Sequence, residues 1–119
     1  MDSPGVAALR AGNLALKFGV ELAAIASLGY WGASRNGALL SATMMLLAPA
    51  TMIALWGRFA APKASRRLPL PARIPLELTL LSLAAVALLA AGEDVFAAVF
   101  ATAVVLNAVL LTAFGQWEA

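Results

Sequence analysis

The chain has 119 residues, 63% of them apolar and 12% charged, against about 45–50% and about 25% in ordinary soluble domains. A soluble domain this small exposes most of its residues, and this composition cannot supply the polar surface, so hydrocarbon is the solvent that fits. Cys and His are both absent, which excludes disulfides, thiolate or imidazole metal sites and Ser/His or Cys/His nucleophiles, and a net charge of +2 is too small to point to nucleic acid.

In chain order, Met1-Asp2-Ser3-Pro4-Gly5 has no basic n-region, and Arg10, Lys17 and Glu21 interrupt the apolar stretch that follows, so no cleaved signal peptide is expected. The first span is the informative one. Leu22 to Ser34 gives only 13 uncharged residues, too few to cross about 30 Å of hydrocarbon at 1.5 Å per residue. Gly32, Arg35, Asn36 and Gly37 block extension outward, so the helix must run backward through Glu21 and Lys17, over about 8–32. Asn36 to Gly57 supplies 22 uncharged residues for a second helix near 38–58, with Pro49 set to kink it. A loop at 59–72 carries Pro62, Pro69 and Pro71. The third helix, near 73–92, reaches spanning length only by including Glu77, and Pro75 is expected at its first helical position, leaving Glu77 at the third as an amide cap. Gly92-Glu93-Asp94 forms a tight turn, and the 23 uncharged residues before Glu118 make a fourth helix near 95–116. The expected fold is therefore an all-α integral membrane protein, residues 1–119 forming one compact four-helix bundle.

Basic residues assign the sides. Arg58, Lys63, Arg66, Arg67 and Arg73 are five of the eight in the chain. Arg10 and Lys17 fall on the same side of a four-helix topology. The positive-inside rule places that side, with both termini, in the cytoplasm. Tyr30-Trp31 then lies at the outer interface and Trp56 at the inner one. Arg58, Lys63, Arg66 and Arg67 are candidate contacts for anionic lipid headgroups.

Arg10, Asn13, Lys17 and Glu21 follow a 3-4-4 spacing and share one helix face. Counting inward from Tyr30 puts Glu21 roughly 15 Å from either surface, where an ionised group costs about 2.5–3.5 kcal/mol. It must face other helices or a wet cavity. The third helix repeats the frame: Lys17-Phe18-Gly19-Val20-Glu21-Leu22 aligns with Arg73-Ile74-Pro75-Leu76-Glu77-Leu78 at an offset of 56. That repeat is what a duplicated two-helix hairpin leaves behind. The candidate site is an intramembrane polar cluster of Glu21, Lys17, Asn13, Arg73 and Glu77, with Asn107 a contributor from the fourth helix. The bland alternatives are that Lys17 snorkels to the surface and that Lys17–Glu21 and Arg73–Glu77 are simple i,i+4 pairs.

The chain resembles the YrdB-like family of small bacterial membrane proteins across residues 10–92. The resemblance rests on Asn13-Leu14-Ala15-Leu16-Lys17-Phe18 with Glu21-Leu22, Gly29-Tyr30-Trp31-Gly32, Pro49, and Trp56-Gly57-Arg58-Phe59-Ala60-Ala61-Pro62-Lys63-Ala64. Arg67, Pro71, Arg73 and Glu77 continue it. It implies a four-helix inner-membrane protein and supplies no activity. Two functions stay in play: binding or transport of a small solute centred on Glu21, as a homo-oligomer, and a non-catalytic accessory or assembly subunit of a larger complex. With no His or Cys and no catalytic motif, an enzyme is not expected, nor is a cofactor or a metal.

Overall fold

A computed structural model describes residues 3–61 and 63–118; Pro62, expected to help break the basic loop, lies outside them. Among the described residues the fold is α1 (Pro4–Ala33), α2 (Ala38–Phe59), α3 (Leu70–Ala90) and α4 (Asp94–Phe114), with no strand. All four helices are long and apolar enough to span a membrane. The chain occupies 56 × 34 × 20 Å, elongated along the helix axes.

α1 starts four residues before the expected position. Ser3 is its N-cap, its Oγ accepting the Val6 N–H at 3.1 Å, and Pro4 opens the first turn. α3 also starts early. Pro69 is the N-cap and Pro71 sits in the first turn, so Pro75 lies inside the helix and not at its first position. The expected placement of Glu77 as an N-terminal amide cap is therefore corrected: it is the eighth helical residue, buried within the bundle. Three prolines competed for one helix start, and the earliest that could donate nothing without loss took it.

α3 and α4 end alike. Gly92 and Gly115 adopt positive φ. Glu93 N–H reaches Leu88 O at 2.9 Å and Gln116 N–H reaches Leu111 O at 2.8 Å, while each glycine N–H bonds one carbonyl further on. These paired bonds close the orphan carbonyls of a helix end in the Schellman manner. α4 thus stops at Phe114, two residues before the expected end, and residues 115–118 turn back under the bundle.

α1 is the hub, packing against α2, α3 and α4. The α1–α2 seam is made by small residues: Gly32 is buried, and a Cβ there would overlap the Met44 backbone. α2 leans almost wholly on α1 and buries only Met52. α4 packs on both α1 and α3, so the two hairpins are not equivalent in their packing. The apolar core runs through Val20, Ala24, Leu80, Ala84, Leu88, Ala97 and Phe100. Exposed leucines elsewhere are ordinary on a surface solvated by lipid.

Candidate functional site

Helix geometry delivers the polar stripe of α1 to the interior. Glu21 lies nine residues below Tyr30, about 14 Å along the axis, with Lys17, Asn13 and Arg10 at roughly 6, 12 and 17 Å beyond it. The stripe faces α3 and α4. Lys17 Nζ donates to Glu21 Oε1 at 2.7 Å and stands 3.5 Å from Glu77 Oε1. The two repeats of the basic-x-x-x-Glu-Leu frame therefore meet across the α1–α3 interface. Lys17 does not snorkel; its ammonium is held between two carboxylates. Arg73 is 2% exposed and contacts Glu77 at 3.9 Å.

A second layer lies nearer the basic end. Asn107 Nδ2 donates to Asn13 Oδ1 at 2.8 Å and to Asn13 O at 3.1 Å. Asn13 Nδ2 donates to Gln116 Oε1 at 2.9 Å, and Gln116 Nε2 to Arg10 O at 3.0 Å. Arg73 Nη1 and Nη2 donate to Leu68 O and Trp117 O, and Glu118 pairs with Arg73 at 3.4 Å and Arg67 at 3.6 Å. Residues 115–118 thus form a strap that joins α1, α3 and the 60–69 loop. The strap was not legible beforehand, because a segment past the last helix has no periodicity to read. Its one signal was Gly115, a C-terminal stop followed by an amide at the depth of Asn13.

The candidate residues converge. Lys17, Glu21, Glu77 and Arg73 form one network, and Asn13 joins the strap beside it. Glu77 is more deeply set than Glu21, with side chains 8% and 15% exposed. The network balances, with two acids and two bases. Two cavities touch it, each about 10 Å³, and both are lined by Glu21 and Glu77. That volume is at the lower limit for one water molecule. Trp56 Nε1 and Arg73 Nε are buried without a hydrogen-bond partner. Trp56, expected as an interfacial anchor, lines one of the cavities.

The headgroup candidates divide. Lys63 and Arg66 are exposed, and Arg58 stacks over Phe59 at 5.7 Å. Arg67 turns inward, its Nε donating to Ala60 O at 3.3 Å and its Nη2 to Glu118 O at 3.1 Å.

The fold and the site together define a small polytopic helical protein whose helices are tied by ion pairs within the apolar region. Its sequence matches the model of a family described as "Protein of unknown function (DUF2568)" over residues 15–117, and the chain belongs to that family. The match carries this description and not the YrdB-like name, which rests on the motif blocks alone. No curated protein and no solved structure matches the chain.

Proposed function

We propose that the protein is a non-catalytic accessory or assembly subunit of a larger complex in a bacterial inner membrane, both termini and the basic loop facing the cytoplasm. The observation that carries this reading is the closure of the ion network. Lys17 is shared by Glu21 and Glu77, Arg73 pairs with Glu77 and Glu118, and the two cavities lined by Glu21 and Glu77 hold only about 10 Å³ each. Such a network fixes which helices pair and in what register, a use for buried charge attested elsewhere. α2, held chiefly by α1, is the element with most surface left for another protein. Lys63, Arg66 and Arg58 remain at the rim to meet anionic headgroups.

The test uses the absence of cysteine. A single Cys at Leu46 on α2, in native membranes treated with a cross-linker, is expected to trap a second polypeptide that also co-extracts at fixed stoichiometry in native lipid discs. Recovery of homo-oligomers alone would overturn the assignment. A second reading, binding or transport of a small solute at Glu21, is favoured by the two cavities meeting at the Glu21–Glu77 pair. Glu21→Gln separates the two. An internal tie predicts a destabilised protein, whereas a binding site predicts normal stability with loss of uptake or binding.

A further inference from the structure

A ligand-sized space lies along a different stripe of α1 from the ion network, with its mouth at the Tyr30 end, and shares no charged residue with it. It is a groove of about 540 Å³ between α1 and α4, open sideways toward lipid. Its walls are narrow because α1 offers Gly19, Ala23, Ala26 and Ser27 there, and α4 offers Ala103. Ser27 presents no free donor, since its hydroxyl bonds Ala23 O in its own helix at 2.6 Å. The lining is otherwise apolar up to the mouth, where Tyr30 and Glu93 stand.

Size selects the occupant. From Leu16 to Tyr30 the groove runs about 21 Å along α1, a length and an apolar lining that suit an extended hydrocarbon chain lying along the helix. The mouth selects the head. Glu93 occupies the N-cap of α4, where a carboxylate ordinarily takes amide hydrogens, yet it makes no capping bond. It reaches across the groove instead and accepts the Tyr30 hydroxyl at 2.7 Å. Asp94 adds a second negative charge beside it, and among the described residues no basic side chain pairs with either acid. Arg35, the base on the adjoining loop, is occupied with the Trp31 ring at 4.6 Å and with Ser34.

We infer that this groove binds a single-chain amphiphile with a cationic, ammonium-type head: the chain lies between α1 and α4, and the head meets the Glu93 carboxylate beside the Tyr30 hydroxyl. Cation and carboxylate meet at an interface where the dielectric is lower than in water and the attraction correspondingly stronger.

The test is photolabelling of the full chain in phosphatidylcholine discs with two probes that share a diazirine-bearing C12 chain, one with an ammonium head and one with a phosphate head. The ammonium probe is expected to label residues 19–30 of α1 and 96–103 of α4 saturably, with dodecylamine competing. Glu93→Gln, which keeps an acceptor for Tyr30, should lower its apparent affinity about fivefold and leave the phosphate probe unchanged. Ala23→Phe, which fills the slot, should abolish saturable labelling by the ammonium probe. Equal labelling by the two heads, labelling spread over the lipid face of α2, or a tightly retained phospholipid that dodecylamine does not displace would each overturn the inference.

Discussion

The two ends of the α1–α4 interface solve the same problem in opposite ways. Toward the basic end α1 meets its neighbours through Lys17, Asn13 and Arg10, and every approach is sealed by a carboxylate, an amide or the 115–118 strap. Toward the Tyr30 end the same two helices present Gly19, Ala23, Ala26 and Ala103, and the space between them stays open. In lipid no hydrophobic force closes a gap between helices, because hydrocarbon fills it equally well. Polar pairs close gaps there, since an unsatisfied polar group has no water to turn to. The polar end is therefore the part of the interface that carries its stability, and the apolar end is the part free to take a guest.

The largest effect should come from removing the ammonium that both carboxylates share. Lys17→Met leaves Glu21 and Glu77 facing each other in a low-dielectric interior, and breaking a buried pair in this way costs about 3–5 kcal/mol. Thermal unfolding in detergent should show it as a steep fall in Tm. Lys17→Met with Glu21→Gln should recover most of the loss, because Glu77 keeps Arg73 and no lone charge is stranded. A double variant no better than the single would remove Lys17 from its place as the shared base.

Next is the seam that uses no polar group. Gly32→Val pushes a branched side chain into the Met44 backbone, and overpacking of this kind costs about 1–3 kcal/mol. The damage should stay local: α2, which has little other support, should become protease-sensitive while α1, α3 and α4 stay protected. Uniform loss of protection across all four helices would mean that α2 is integral to the bundle and not an attachment to α1.

Gln116→Ala is expected to cost less, about 1–2 kcal/mol, the loss of two hydrogen bonds with Asn13 and Arg10 left short of partners. Hydrogen exchange is the measurement. Faster exchange confined to the first turns of α1 and to residues 111–118 is expected, with the amides around Glu21 unchanged.

These residues also show which parts of the fold the sequence could disclose. Spans were legible because an uncharged run either reaches the width of hydrocarbon or does not, and the short run from Leu22 to Ser34 forced Glu21 and Lys17 inward. The meeting of Lys17 with Glu77 was foreshadowed by the repeat at an offset of 56, since α1 and α3 enter from the same side. Pro75 misled: proline favours a first helical turn, but Pro69 and Pro71 had the earlier claim, and Glu77 moved from a helix end into the core. Gln116, Trp117 and Glu118 were invisible because their roles depend on a left-handed turn at Gly115 that folds them under α1. The groove was equally hidden. Only the relative placement of α1 and α4 turns the alanines at 23, 26 and 103 into walls.

The smallest expected effect sharpens the contrast between the two ends most directly. Ala23→Leu adds three methyl-sized groups to the groove wall. In a sealed void, new side-chain volume replaces vacuum and stabilises by roughly 24 cal/mol for each Å³ filled. In a slot wetted by acyl chains it only replaces one hydrocarbon by another, and the change should stay within about 0.5 kcal/mol, as for substitutions away from special features. Thermal unfolding of Ala23→Leu in discs should therefore superimpose on that of the unaltered chain. A rise in stability of more than about 1 kcal/mol, near the worth of a buried methylene, would mean the space is closed in the bilayer, and the open end of the molecule would then be as tightly held as the ion-paired one.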